Sequence, residues 1–321
     1  MTTTDTRGFP TPLVDSGDRV NAAAAVRAMR WLMGEPGQAL PGDRALAIRL
    51  RSALPWLVRS LEVQRQFLFR SAELFRWRLD IDQFVTFSAG PYRRWPGLAA
   101  DLQPPCTAVP DAAAFVHVNV LTATGESGPP CGHRHTDARF TKMLPLLRHP
   151  ALTDLDRYRP IGVLVDDIGP LTDSTADLQF GLDTLREWLP PGSAIALVHS
   201  TTGLLPTAGR AAVRARRDFA ARLVTQATGR PYRLRPRTEI AQLLSAWPPA
   251  DPDQPVAAGK FFSDGHLQLP DHHSGAYAVM ALHPLHPDQA KDPNYTPGEP
   301  TYGAERSVPE QGTGGVQAGA S

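Results

Sequence analysis

The chain of 321 residues has only two cysteines, Cys106 and Cys131. Two thiols make no disulfide framework and suit a reducing interior. No apolar run approaches the roughly 18 residues that a membrane-spanning helix needs. Met1 leads into Thr-Thr-Thr-Asp-Thr-Arg, which lacks the apolar core of a secretion signal, so the cytoplasm is the expected location. Charge of either sign is not in excess. The formal net charge is +1, so neither nucleic acid nor an anionic membrane surface is an expected partner. There is no G-x-S-x-G nucleophile elbow and no internal repeat.

What is present is globular: 42% of residues are hydrophobic and 20% charged, enough apolar surface for a substantial core. The 32 prolines and 26 glycines are unevenly spread. They punctuate residues 1–18 and 284–321, which are polar and poor in large apolar side chains, so both ends are expected to be disordered. Between them the pattern predicts a helical cap over 19–80 and an α/β domain over 81–283.

The cap reads as three helices. Val26, Met29 and Met33 sit at helical spacing in the first, over Ala22–Met33, and Gly34-Glu35-Pro36-Gly37 stops it. The second starts at Asp43, and Pro55 breaks it. The third covers Ser60–Leu79. Phe84–Phe87 is then a short apolar run ending in Ser-Ala-Gly-Pro, the form of a buried parallel strand entering a turn. Further strands are expected at Ala114–Val120, Cys131–Thr136, Ile161–Asp167, Ala194–His199 and Gly275–Leu282. Helices are expected at Phe140–Arg148, Ser174–Leu189 (capped by Asp173 or Ser174), Ala208–Thr228 and Thr238–Trp247. Alternating strands and helices predict a doubly wound parallel sheet, whose ligands sit beyond the carboxyl ends of its strands.

Seven pieces of the chain, taken in order, resemble a bacterial family of S-adenosylmethionine-dependent methyltransferases. Arg27-Ala28-Met29-Arg30-Trp31-Leu32-Met33-Gly34 stands for the family's R-V-Y-D-Y-L-L-G-G. Gln64-Arg65-Gln66-Phe67-Leu68-Phe69-Arg70 stands for N-R-x-F-L-x-R. Gln83-Phe84-Val85-Thr86-Phe87-Ser88-Ala89-Gly90-Pro91 stands for Q-F-L-D-I-G-T-G-L-P-T. Val116-His117-Val118-Asn119 and His135-Thr136-Asp137-Ala138-Arg139 stand for V-Y-V-D-N-D-P and D-A-D-L-R. Pro191-Gly192-Ser193 with Val198-His199 matches P-G-S and S-H, and Tyr232-Arg233-Leu234-Arg235-Pro236-Arg237-Thr238-Glu239-Ile240 matches F-R-L-R-S-R-E-E-V. The resemblance spans about residues 20–283. It implies a Rossmann-like class I methyltransferase sheet with an N-terminal helical cap, and S-adenosylmethionine as cofactor. The cofactor-binding positions it implies are Thr86, Ser88, Gly90, Asn119 and Asp137; Asp166, at the carboxyl end of a strand, is a further candidate that would help hold the cofactor.

Three of those positions depart from the family in physical terms. Thr86 replaces an acid with a hydroxyl. Ser88 and Ala89 put Cβ atoms where the family has a Gly-Thr-Gly turn. Asn119 cannot reproduce a charged bidentate acceptor. Two functions follow as alternatives. The chain transfers a methyl group to a small-molecule acceptor, or it is a catalytically degenerate member acting as a binding module. Asp166 and His199, at strand ends, are the candidate catalytic groups, with Asp167 beside the first; the plainer alternatives are a helix-capping or loop carboxylate and a satisfied buried histidine. Arg27 and Arg65 either grip an anionic substrate group or pair with acids. Cys131-x-His133-x-His135-x-Asp137 offers zinc-type ligands at strand period, against the plainer reading of a polar edge strand. The arginines of the long helix, Arg210, Arg214, Arg216, Arg217 and Arg222, read as a solvated face. His272-His273 reads as an exposed polar loop.

Overall fold

In a computed structural model the described residues are 16–34, 39–88, 114–119, 134–137, 142–153, 155–171, 174–251, 253–262 and 269–284. Gly90, Ala89, Asp173, Cys131 and His133 lie outside them, as do residues 1–15 and 285–321.

Three helices come first: α1 (Ser16–Leu32), α2 (Pro41–Ala53) and α3 (Leu57–Arg78). Gly34 ends the first at φ 82°, a left-handed position suited to glycine. Asp43 caps the second, accepting from Leu40 N at 2.9 Å, and Pro55 lies in the break before the third, as expected. The alternating part follows: β1 (Gln83–Ser88), β2 (Ala114–Asn119), β3 (Arg134–Asp137), α4 (Met143–Leu147), β4 (Ile161–Asp166), α5 (Thr175–Trp188), β5 (Ala194–Ser200), α6 (Arg210–Thr228), α7 (Arg237–Leu243), β6 (Val256–Ala257), α8 (Asp271–Ser274) and β7 (Ala276–Leu282). Ser174 is the cap of α5, accepting from Asp177 N at 3.1 Å.

Among the described residues the strands form one sheet of order β3-β2-β1-β4-β5-β7-β6. The pairs from β3 to β5 are parallel, and β7 runs antiparallel to both β5 and β6. This is a class I Rossmann-like methyltransferase sheet, the fold expected from the alternation and the resemblance. The two-residue β6 is too short to leave a period in the sequence.

Strand alternation divides the core in two. Val85, Phe87, Val163, Val165, Ile195 and Leu197 face one way, into the layer of α4, α5 and α7. Phe84, Leu164, Ala196, Val198 and Ala278 face the other way, against Val63, Phe67 and Phe75 of α3. So α3 covers a sheet face directly. The first two helices instead pack on α6, where Ala28, Leu46, Leu50, Leu223 and Val224 form a third cluster.

The Pro-Gly-Ser turn before β5 has a specific duty. Ser193 is fully buried. Its Oγ accepts from Ile161 N at 3.0 Å and donates to Pro190 O at 2.7 Å. It therefore sets the start of β4 against the start of β5. Ser193→Ala removes the acceptor of Ile161 N in the interior, while Pro190 O keeps the Ser193 N–H at 3.3 Å; the loss costs about 1–3 kcal/mol. Denaturant unfolding is expected to show that loss with an unchanged m-value.

Candidate active site

The parallel register brings four candidate residues level. Ser88 pairs with Asn119 on one side and with Asp166 on the other, and Asn119 pairs with Asp137. They close the carboxyl ends of four adjacent strands, the place where open α/β sheets bind ligands. Two residues earlier, the Thr86 hydroxyl is buried with no hydrogen-bond partner among the described residues, an uncommon state for a buried polar group. Burial pushes the Asp166 carboxyl up, and the Arg65 guanidinium of α3 opposes that shift. Its charge therefore acts on the end of β4. Arg27 is held by Asp43 through contacts of 2.6 and 3.1 Å and pins α1 to α2, the acid pairing that was one of its two expected uses. The His-Asp part of the zinc-type pattern lies in β3, while Cys131 and His133 fall outside the described residues. Among the described residues no group of three metal-type ligands converges.

His199 takes the second of its two readings, a buried histidine with satisfied ring nitrogens. It is 1% exposed, and both ring nitrogens are engaged. Nδ1 lies 2.7 Å from Ser200 O, so it carries the proton. Nε2 lies 3.1 Å from the Arg235 guanidinium and accepts from it. Arg235 is itself fully buried and also donates to Gly169 O at 2.7 Å and to Thr175 Oγ1 at 3.0 Å. Gly169 is required here, since a Cβ would come within 2.2 Å of the His199 ring. Burial first, then Arg235, lowers the His199 pKa to about 3, against a raising hydrogen bond to Ser200. The imidazole is a neutral structural bridge rather than a base open to a ligand.

The group that does face open space is Asp167. It follows β4 with φ 42°, a left-handed conformation that aspartate tolerates better than most residues. The turn points its carboxylate across to the end of β5. There Ser200 N and Ser200 Oγ each donate to it at 2.6 Å, and Tyr232 Oη lies 3.5 Å away. Burial raises the Asp167 carboxyl to about 7; the Ser200 hydrogen bonds lower it, and the neighbouring Asp166 raises it again. Burial likewise pushes Tyr232 up, with the Asp167 charge adding to the effect, so its phenol stays protonated.

Asp167, Ser200 and Thr201 form the floor of a cleft of about 600 Å³, measured out to its solvent mouth. Apolar side chains of α2, α3 and α6, with Trp56 and Leu234, make its walls. Trp56 is held by stacking on His273, centroids 4.8 Å apart and 19° between planes. So His272 and His273 are not an exposed loop: they form a short helix half-buried against Trp56.

Arg217 lines the same cleft and was missed as one of a solvated set. It is 3% exposed. Its guanidinium donates to Thr201 O at 2.9 Å and to His272 O at 2.7 Å. A signal was present: Arg217 falls three and seven residues before Ala220 and Val224, on the apolar stripe of α6. Tyr232 opens the last family motif. Its segment is set by Thr201, whose Oγ1 donates to Arg235 O at 2.5 Å, so the motif runs beside the end of β5.

The comparisons agree with this architecture. Residues 18–282 match the profile of a family described as S-adenosyl methyltransferase. A putative methyltransferase from Thermobifida fusca YX is 18% identical over 84% of this chain and 98% of its own, with a TM-score of 0.64. A DUF574 family protein from Streptomyces avermitilis is 21% identical over 84% and 99%, with a TM-score of 0.65. At those identities the likeness is one of fold. No curated protein matches by sequence.

His199 gives a test of the local electrostatics. Its ring is expected to stay neutral from pH 8 to pH 5 in an NMR titration, whereas a free histidine titrates near 6.5. The unfolded chain takes up a proton that the folded chain refuses, so this group's contribution to stability falls as pH drops below about 6.5. A ring that titrates near 6.5 in the folded protein would contradict the bridge.

Proposed function

The chain belongs to the S-adenosyl methyltransferase family, and from that we infer that it binds S-adenosylmethionine and transfers its methyl group to a small-molecule acceptor. The observation that carries this reading is the level line of Ser88, Asn119, Asp137 and Asp166 at the strand ends, beside an open cleft.

The residues present fit the cofactor, by a different division of charge from the family's. Thr86 and Asn119 carry none. Asp166 puts an acidic group at the end of β4, and the Arg65 guanidinium of α3 acts on it and favours its charged form, an acid and a base suited to an amino-acid group with an ammonium and a carboxylate. The orphaned Thr86 hydroxyl leaves a buried donor and acceptor beneath the same place. Ser88, Asn119 and Asp166 would hold the cofactor, with Asp137 at the β3 end. When bound, it supplies an electrophilic methyl group. The chain itself contributes position: α3, packed on the sheet face, lines the cleft with Leu57 and Leu61, and the apolar walls exclude water, so proximity and orientation are the main source of rate. Asp167, with its raised pKa near 7, is placed to accept a proton near neutral pH.

Calorimetry with S-adenosylmethionine and S-adenosylhomocysteine tests this. Both are expected to bind the full chain. Asp166→Asn is expected to weaken S-adenosylmethionine by about 10- to 100-fold, the loss of one charge-assisted contact. No heat from either ligand at millimolar concentration would remove the enzymatic reading in favour of a degenerate binding module, which the uncharged Thr86 and Asn119 would then explain.

A further inference from the structure

The cleft beside Asp167 holds a cation that no carboxylate among the described residues balances. Arg217 is buried on α6, and its guanidinium donates to the carbonyls of Thr201 and His272. No carboxylate among the described residues forms an ion pair with it, unlike Arg27 with Asp43 or Arg233 with Glu239. Burial lowers its pKa to about 10, which still leaves it cationic at neutral pH. A buried cation without a counter-ion is costly unless something anionic completes it. The other polar corner of the cleft is Asp167 with Ser200 and Tyr232. Arg217 bonds to Thr201, and Asp167 bonds to the adjacent Ser200, so the two corners are separated by neighbouring residues at the end of one strand. The walls between are apolar, with the Trp56 ring fixed against His273.

We propose that this cleft is the acceptor site and that it takes a ring-sized apolar organic acid bearing a hydroxyl. Its carboxylate meets Arg217 and its hydroxyl meets Asp167. The apolar walls select the ring, and a guanidinium provides the planar fork that a carboxylate fits. On reaction the hydroxyl O–H bond breaks, its proton passes to the Asp167 carboxylate, and the bonding pair stays on the acceptor oxygen, which becomes the nucleophile. Calling this molecule the acceptor rests on the methyltransferase reading; its binding does not.

The test is therefore made without cofactor. The full chain is titrated with 3- and 4-hydroxybenzoate and 4-hydroxycinnamate, followed by Trp fluorescence and calorimetry, with phenol and benzoate as single-group controls. At least one hydroxy acid is expected to bind at least tenfold more tightly than phenol. Arg217→Met is expected to erase that advantage and Arg217→Lys to restore part of it. If Arg217→Met does not fold, the lysine variant and the phenol control decide. Failure of every hydroxy acid to bind at millimolar concentration overturns the proposal, as does equal binding of phenol and the acids. Hydroxy-acid binding without any S-adenosylmethionine binding would sink the methyltransferase reading and leave the cleft's ligand class standing. The reverse pattern would sink the cleft proposal alone.

Discussion

Parallel strands in register bring their carboxyl ends to one line, and the candidate site hangs from that line. Ser88, Asn119, Asp137 and Asp166 are level because β1, β2, β3 and β4 pair without a slip. A shift of one residue would exchange the two sets of side chains between the faces of the sheet, and each face is packed for its own set. Phe84 and Leu164 must meet α3, while Val85 and Val163 must meet the opposite layer. The same constraint places Asp167 one residue beyond the line, where the chain turns left-handed and aims a carboxylate at the end of β5.

The fold was legible because its signals are local. Continuous apolar runs marked β1, β4 and β5, and Pro55 and Gly34 marked helix ends. The site was legible only where a residue's task depends on its place in a strand. Asp166 at a strand end is such a case. Arg217 and His199 are not, because their roles depend on what α6 and the Tyr232–Arg235 segment bring beside them. A histidine at a strand end reads as a possible base until Arg235 is seen to donate to it. An arginine among five on one helix reads as solvated until its position on the apolar stripe is weighed against its neighbours. For Arg27 the sequence offered two uses, and what decides for pairing is an acid in the next helix, Asp43, sixteen residues on.

Charge has been redistributed in the site rather than simply lost. Thr86 and Asn119 are uncharged at positions where the family carries acids. Asp166 closes the next strand, and the Arg65 guanidinium of α3 favours its charged form against the effect of burial. A zwitterionic group can be held by either arrangement, since what it needs is one partner of each sign within contact distance. Beside it, Asp167 and Arg217 set up a second, separate division of charge across an apolar cleft. Two polar corners and an apolar middle define what that cleft can accept more sharply than its size does.

A crystal structure with S-adenosylhomocysteine bound tests the central claim most directly. The ligand is expected across the carboxyl ends of β1, β2 and β4, with its amino-acid group between Asp166 and Arg65 and its sulfur open toward the Asp167 cleft. A ligand bound elsewhere, or one at the strand ends whose sulfur is walled off from Asp167, would contradict the account.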